Sequence, residues 1–311
     1  MNSIPTYTSH ILGHDAVIDG FVQAAAQDRF PHACLFAGPD GVGKRTLAVA
    51  LASYLLQDTA HSFDRVRDGI HPDYLYVNTA WGVDNATATI KIEAIRQLEE
   101  RIVVGSFESA RLVVVIDPAD AMTDSAANAL LKTLEEPPAG VYFFLVTAAP
   151  YQLPATIRSR CQIFHFAPLP EAYLFELVRR NLPDVEPDPE LASLCDGSVG
   201  RALSFFASES VSRFPELASS CLELAFSGSL PELFNAAETL SQLERDQVDI
   251  FLLVFSMKIR DRFLGRGAKE PPRPADPVAW QQAVELARAD VTANVNRRIV
   301  LENLLWKLRR T

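Results

Sequence analysis

A glycine-rich loop between a strand pattern and a helix pattern constrains this fold more than any other part of the sequence. Gly38–Thr46 reads G-P-D-G-V-G-K-R-T, follows the apolar run Ala33–Ala37, and precedes an apolar helical pattern over Leu47–Leu56. Glycines in such a loop let backbone N–H groups converge on an anion, and the N-terminus of the following helix adds a partial positive charge. The pattern therefore predicts a phosphate-binding loop in which Lys44 reaches the outer phosphates.

The same loop departs from the motif G-x-x-x-x-G-K-[ST] at the position whose hydroxyl holds magnesium. That position is Arg45. Thr46 is not an obvious replacement, since one residue along a helix turns the side chain by about 100°. The loop is therefore built for phosphate and poorly built for hydrolysis. Its candidate nucleotide-binding residues are Gly38, Gly41, Gly43, Lys44 and Thr46.

Size and composition indicate a globular protein with more than one domain. The chain has 311 residues, of which 48% are hydrophobic and 22% charged, and this is enough for two or three separate cores. No apolar run approaches the roughly 18–20 residues that cross a bilayer, and the N-terminus lacks a secretory signature. We therefore expect a cytoplasmic protein with no membrane partner. The net charge of −10 disfavours a chain that grips DNA by itself through a broad basic surface.

The four cysteines are far apart and contain no C-x-x-C pair. This spacing disfavours both a zinc module and a disulfide framework, and it predicts buried, reduced and inert thiols. We expect no metal site in the chain.

Strand patterns alternate with helix patterns through the first half of the sequence. This alternation predicts an α/β fold with a doubly wound, five-stranded parallel sheet and helices on both faces. The strands are expected at Ala33–Ala37, Tyr74–Val77, Leu112–Ile116, Val141–Thr147 and Gln162–Phe166. Helical patterns are expected at 11–30, before the first strand, and between the strands at 47–56, 90–104 and 125–135. Asp15 is the expected N-cap of the first helix, and residues 57–73 are expected to be irregular.

Asp117 stands at the C-terminal end of the third predicted strand, where ligands collect in open α/β sheets. It is therefore a candidate member of the nucleotide site and a candidate magnesium partner. The next residue, where an acid could orient the attacking water, is Pro118, and nothing in the sequence shows that Asp120 could substitute.

Composition changes divide the chain into three predicted domains. Residues 1–167 form the α/β core, and Pro168 and Pro170 mark its end. Residues 168–207 form a small helical unit, with helices at 171–181 and 190–195, and residues 208–311 are all-helical. The segment Gly265–Pro277 is expected to be an exposed loop.

Several motifs together resemble the AAA+ clamp-loader family. The matching segments include His32-Ala-Cys-Leu-Phe-Ala-Gly-Pro39 at the loop and Leu153-Pro-Ala-Thr-Ile-Arg-Ser-Arg-Cys161 near the end of the core. The most specific segment is Ser125-Ala-Ala-Asn-Ala-Leu-Leu-Lys-Thr-Leu-Glu-Glu-Pro-Pro138, and the resemblance covers nearly the whole chain.

The resemblance implies an AAA+ core, a helical lid and a helical collar that joins five subunits into an open ring. The partners it implies are the ATPase and wrench-like subunits of that ring and, through the complex, a sliding clamp and primer-template DNA. It also implies that Arg160, within Ser159-Arg160-Cys161, is an arginine finger that reaches the γ-phosphate held by a neighbour. The alternative is that Arg160 forms only a surface ion pair. Arg158 is the weaker candidate for the finger.

Departures from the family pattern indicate a subunit that does not hydrolyse ATP. Arg45 and Pro118 are joined by Ala148 at the polar sensor position and by Gly200 at the lid arginine position, with Arg201 displaced by one. We therefore expect a rigid stator that presents Arg160 and belongs to a DNA-directed DNA polymerase complex, a nucleotidyltransferase. Weak binding of ATP or ADP without hydrolysis stays open.

Two other functions are compatible with the sequence. The intact Gly41-Val-Gly-Lys44 is typical of a self-sufficient AAA+ ATPase of replication or repair. A DNA-binding adaptor is the third interpretation, if Lys91, Arg96 and Arg101 form one patch. Many relatives carry a four-cysteine zinc module after the first helix of the core, but residues 57–73 contain no cysteine, and His61 and His71 are expected to be ordinary loop residues.

Overall fold

The computed structural model describes residues 3–57, 62–81, 89–187, 189–193, 195–207, 213–263, 276–293 and 295–310. The chain divides into two compact units. The first comprises the chain up to Leu174 together with Gly197–Gly200, and the second comprises Phe175–Asp196 and the chain from Arg201 onward. The division into core, lid and collar at 167 and 207 stays a prediction.

The first unit is built on a five-stranded sheet whose paired strands are all parallel, in the order β2-β3-β4-β1-β5. The predicted fold class is therefore confirmed. Apolar and β-branched runs form the central strands because both faces of a parallel sheet are covered. The strands are β1 (Ala33–Ala37), β2 (Tyr74–Val77), β3 (Leu112–Ile116), β4 (Val141–Thr147) and β5 (Gln162–His165).

Helices cover both faces of this sheet. Alternate residues of one strand belong to two different cores: Val114 packs in the core that contains Ile95 and Leu130, whereas Val113 packs in the core that contains Leu47. The helices before β5 are α1 (Ile4–Thr8), α2 (Asp15–Ala26), α3 (Lys44–Leu55), α4 (Ser62–Arg67), α5 (Ile92–Val104), α6 (Asp124–Glu135) and α7 (Ala155–Arg158).

All the described elements after β5 are helices. Trp280 is fully buried in the second unit, where its ring contacts those of Phe226 and Phe263. In the described part of the chain, no helix is long and apolar enough to span a bilayer. These helices are α8 (Glu171–Asn181), α9 (Pro189–Ser193), α10 (Val199–Ala207), α11 (Phe214–Ser227), α12 (Leu230–Ser241), α13 (Arg245–Phe263), α14 (Pro277–Thr292) and α15 (Arg297–Arg310).

Local details correct the sequence predictions. Asp15 is the first residue of α2 rather than its N-cap, which is His14. The segment 57–73 is not wholly irregular, because it contains α4, whose Val66 is buried and whose Phe63 ring lies 6.1 Å from that of Tyr7. The helix predicted at 190–195 spans Pro189–Ser193. Most of the predicted loop at 265–277 lies outside the described residues.

Candidate functional site

The glycine loop connects β1 to α3 as the sequence predicts. Gly41 has φ +74° and Gly43, the N-cap of α3, has φ +105°, a region of backbone conformation that residues with a Cβ rarely adopt. The Gly38 N–H donates to the Thr147 carbonyl at the end of β4, 3.2 Å away. The loop is thereby fixed to the carboxyl ends of two adjacent strands.

Lys44 is folded into this loop. Its Nζ donates to the carbonyl oxygens of Gly38 at 2.5 Å and Pro39 at 2.6 Å, and lies 3.8 Å from the Asp40 carboxylate. Burial lowers the pKa of Lys44, and the negative charges of Asp40, Asp117 and Asp120 oppose that shift. The ammonium group thus lies within the loop and near three carboxylates, and its predicted contact with the outer phosphates stays a prediction.

Arg45, Tyr76 and Asp117 form a second polar group beside the loop. The Arg45 guanidinium lies 4.3 Å from the centroid of the Tyr76 ring, and the Tyr76 hydroxyl donates to Asp117 Oδ2 at 3.3 Å. Burial raises the pKa of Asp117, against the Tyr76 hydrogen bond and the charges of Arg45 and Lys44, which lower it. Burial and the Asp117 charge raise the pKa of Tyr76 to about 12, so its hydroxyl stays protonated. Sequence reasoning missed Tyr76, although its position on the strand beside β3 is a usable signal.

The residues at this place do not fit a magnesium ion. Mg²⁺ requires near-octahedral oxygen coordination. The residue after Lys44 offers a guanidinium, Thr46 is exposed, and the Asp117 carboxylate already accepts a hydrogen bond from Tyr76. Among the residues that the structure describes, no three His, Cys, Asp or Glu side chains are grouped so that they could hold a metal.

The sensor position at the end of β4 carries no polar side chain. Ala148 is exposed, and its neighbour Thr147 is buried with its hydroxyl donating to Asp120 Oδ1 at 2.5 Å. The same hydroxyl oxygen accepts from the Ala149 N–H at 3.0 Å. The Asp120 carboxylate is thus held by the Thr147 hydroxyl. Sequence reasoning missed Thr147, because its hydroxyl meets Asp120 only in the folded chain.

Gly200 allows its own backbone to contact that of the glycine loop. Its N–H donates to the Gly41 carbonyl at 3.0 Å, and a Cβ added to Gly200 would meet Gly41 Cα at 3.1 Å. A Cβ added to Gly41 would meet the Ser198 hydroxyl at 2.3 Å. The Arg201 guanidinium, one residue later, lies 3.0 Å from Asp196. The glycine at the lid arginine position therefore has a structural consequence, which is close packing of Gly197–Gly200 on the loop.

Arg160 lies just beyond α7 and is bound by its own chain. One of its terminal nitrogens donates to the Thr156 carbonyl at 2.9 Å, and the other forms an ion pair with Glu135 at the end of α6. Its side chain remains 30% exposed. The ion pair that the alternative interpretation predicts is therefore formed, and the Arg160 Nε atom is buried. Arg158 lies 5.6 Å from the Tyr151 ring centroid.

The basic residues at the start of α5 and within it differ in their contacts and exposure. The Arg101 guanidinium donates to the carbonyls of Gly105 at 2.5 Å and Pro72 at 2.8 Å, and stacks 4.2 Å from the Phe107 ring centroid. Lys91 and Arg96 are exposed. The hypothesis of a three-residue phosphate patch did not include these contacts of Arg101 with its own loop and with Phe107.

His71 and the four cysteines, the remaining candidates for metal or redox chemistry, are buried in the fold. His71 is buried, and its Nδ1 accepts from the Asp73 N–H at 3.1 Å, whereas His61 lies outside the described residues. All four cysteines are buried and free, as the sequence predicts. Burial raises the pKa of the Cys161, Cys195 and Cys221 thiols to about 12 and that of Cys34 well above its usual value.

Residues 13–170 match the family model described as DNA polymerase III, delta subunit. The chain is 39% identical over 190 residues to DNA polymerase III subunit delta' of Escherichia coli K12, covering 56% of the chain and 54% of that protein. It is 32% identical over 214 residues to DNA polymerase III subunit tau/gamma of Haemophilus influenzae, covering 64% of the chain and 30% of that protein. The chain thus spans about half the length of the delta' relatives it matches.

A solved structure supports the fold over most of the chain. The DNA polymerase III gamma subunit-related protein of Thermotoga maritima aligns with a TM-score of 0.51 and 20% identity, covering 93% of this chain and 98% of the other. At that identity the likeness concerns the fold alone.

Proposed function

The chain belongs to the DNA polymerase III delta subunit family, and from this premise we propose that it acts as a delta'-like clamp-loader subunit that does not hydrolyse ATP. Its role would be that of a stator in DNA replication, which supports a neighbouring ATPase subunit during loading of the sliding clamp. Similarity to delta' proteins over at least half of the chain supports this assignment.

The observation that carries the proposal is the replacement of groups that hydrolysis requires. Arg45 occupies the position of the magnesium hydroxyl and stacks on Tyr76. Pro118 and Ala148 offer no side chain that could orient water or sense a γ-phosphate. Because these positions surround one loop, losing any of them weakens the same reaction. Nucleotide in this site would be bound weakly and kept intact.

Arg160 is the residue through which the subunit would act on its neighbour. An arginine finger supplied in trans stabilises charge in the phosphoryl-transfer transition state and is worth about 10³–10⁵ in rate where it has been measured. The two terminal nitrogens of Arg160 are held by Thr156 and Glu135, and the side chain is 30% exposed, so a phosphate of the neighbour would share or replace these contacts.

The partners follow from the same assignment. They would be gamma/tau-like ATPase subunits and a delta-like wrench in a heteropentameric ring, with the sliding clamp and primer-template DNA contacted through the complex. The helices of the second unit would supply the collar. The cytoplasm is where such a complex would work.

The test is Arg160→Ala in the assembled complex, with Arg158→Ala as the matched control. The complex should assemble normally, and its ATPase rate stimulated by clamp and DNA should fall at least tenfold at the site that faces Arg160. The control should keep the rate, because Arg158 lies against Tyr151. An unchanged rate for Arg160→Ala would contradict the proposed role.

The self-sufficient ATPase is the competing function, which the intact Gly41–Lys44 segment favours. Purified chain with magnesium and ATP decides between the two. Turnover that disappears on Lys44→Ala would overturn the stator proposal, whereas no turnover supports it.

A further inference from the structure

The position after the phosphate-loop lysine holds a cation where hydrolysing relatives of this loop hold a hydroxyl. Arg45 is exposed at the first turn of α3, next to the buried Lys44, with its guanidinium 4.3 Å from the Tyr76 ring centroid. Tyr76 in turn donates to Asp117 at 3.3 Å. The position thus contains an arginine that is stacked on a tyrosine, and this tyrosine is bonded to the acid at the end of β3.

Two cationic side chains at this place carry the charge that a phosphate group requires. In hydrolysing P-loop proteins a metal ion bridges the phosphate oxygens to a strand-end aspartate and neutralises their charge. Here Arg45 and Lys44 both act electrostatically on Asp117, so fixed positive charge lies near that acid. A guanidinium binds phosphate oxygens through paired N–H donors, and stacking on an aromatic face fixes its plane.

Contacts within the loop leave this chemistry possible. Phosphate is bound in such loops by backbone N–H groups. The backbone bond from Gly200 uses the carbonyl of Gly41, and Lys44 is bonded to the carbonyls of Gly38 and Pro39. These bonds occupy carbonyl oxygens of the loop, whereas among its backbone N–H groups that of Gly38 donates to the Thr147 carbonyl.

We propose that Arg45 takes the place of the divalent cation, so that the loop binds the diphosphate group of a nucleotide without magnesium. Lys44 and Arg45 neutralise the phosphates, and Tyr76 positions the Arg45 guanidinium. The inference rests on the phosphate-loop part of the proposed function and is independent of Arg160. The residues therefore form a nucleotide-holding site whose occupancy does not follow the concentration of magnesium.

The experiment is calorimetric titration of the full-length chain with ADP and, separately, with pyrophosphate, each in EDTA and in magnesium. For the unaltered chain the Kd for ADP should differ by less than about twofold between the two conditions. Arg45→Thr should bind at least about tenfold more weakly in EDTA and regain affinity with magnesium, because it removes the cation and introduces the motif's hydroxyl. Arg29→Thr, which replaces an exposed arginine in the loop before β1, is the matched control and should change neither value.

Other outcomes of these titrations would either overturn or support the inference. An unaltered chain that binds ADP only with magnesium, or that shows no binding at about 1 mM ligand, overturns the inference. So does unchanged affinity for Arg45→Thr in EDTA. Binding of pyrophosphate in EDTA supports recognition of the diphosphate, and a chain that binds ADP but not pyrophosphate overturns that assignment. Arg45→Lys, which keeps the charge, should remain independent of magnesium and provides the second variant if Arg45→Thr fails to fold. The stator role is measured separately, through Arg160 in the assembled complex.

Discussion

Asp73 is a buried carboxylate that organises the loop after α5. Its side chain is fully buried and accepts backbone hydrogen bonds from Phe107 at 2.6 Å and from Glu108 and Ser109 at 2.8 Å. Arg101 lies 3.4 Å from the same carboxylate. Burial would raise the pKa of Asp73, but the three backbone hydrogen bonds outweigh it and lower the pKa below its ordinary value.

Asp73→Asn should therefore lower the free energy of unfolding by about 2 kcal/mol at pH 7, since hydrogen bonds to a charged group contribute about 1.5–3 kcal/mol each and the amide keeps part of them. A carboxyl whose pKa is lowered on folding contributes stability above its unfolded pKa of about 3.9 and loses it as the pH falls through its folded pKa. The difference between the two proteins should thus be constant from pH 7 to about pH 5 and shrink below pH 4.

Urea denaturation at several pH values measures this difference. Glu108→Gln is the control, because Glu108 forms an exposed pair with Arg65 and such pairs contribute about 0–1 kcal/mol. A difference for Asp73→Asn that persists undiminished at pH 3 would show that the carboxylate charge is not the stabilising feature.

At the residue level, the sequence predicted positions better than contacts. It identified Lys44 and Asp117 as neighbours of one site because strand ends meet at one edge of a parallel sheet. It could not predict that Arg45 stacks on Tyr76 or that Arg160 pairs with Glu135, since these contacts join residues far apart in the chain. The residue type indicated which kinds of interaction a side chain could form, and tertiary packing determined which residue it contacts.

Two elements meet at Gly41, where the glycine loop contacts Gly197–Gly200. Gly41→Ala combines an unfavourable φ of +74° with a Cβ placed 2.3 Å from the Ser198 hydroxyl. The free energy of unfolding should fall by about 2–3 kcal/mol, since backbone strain of this kind costs about 1–3 kcal/mol and overlap adds to it.

Gly69→Ala separates the two contributions to that loss. Gly69 has φ +71°, but a Cβ there would meet no atom within 4 Å, so the variant should lose only the strain, about 1 kcal/mol. Thermal or urea unfolding of both variants checks the ordering. Equal losses would mean that the packing of Gly197–Gly200 on the loop adds nothing to stability.

Regular elements were predictable where one local signal was strong. Strands β1 to β4 were located from apolar, aromatic and β-branched runs, which suit parallel strands buried on both faces, whereas β5 is mostly exposed. The short α4 was missed because Ser62-Phe-Asp-Arg-Val-Arg67 has too few turns for a periodic pattern, and Val66 and Phe63 acquire partners only in the fold. Thr123 is the N-cap of α6, and its hydroxyl accepts from the Ala126 N–H at 3.3 Å.

For the whole molecule, the sequence predicted three domains, whereas compactness divides the chain into two units. Gly197–Gly200 belongs to the first unit although it lies within the predicted lid, because Gly200 bonds to Gly41 and the Gly197 carbonyl accepts from the Leu169 N–H at 3.0 Å. Gly197–Gly200 joins the first unit through contacts with residues that are distant in sequence. Such contacts cannot be predicted from composition, which reports only on neighbouring residues.

The function proposed for the whole molecule depends on how firmly Arg160 is held before it meets a neighbour. Glu135, at the end of α6, binds one terminal nitrogen of Arg160, while the Thr156 carbonyl binds the other at 2.9 Å. A charged side chain that is oriented in advance loses less conformational entropy when it engages its target. Glu135 is therefore expected to be a positioning residue for the finger.

Glu135→Gln in the assembled complex should lower the stimulated ATPase rate about threefold to tenfold, less than Arg160→Ala, because the guanidinium is loosened but not removed. The neighbouring Glu136→Gln is the matched control, since Glu136 is also exposed and carries the same charge, so it should leave the rate unchanged. Combining Glu135→Gln with Arg160→Ala should add no further loss, because the two residues act through one guanidinium. A rate for Glu135→Gln at or above that of the unaltered complex would instead identify Glu135 as a competitor of the neighbour's phosphate.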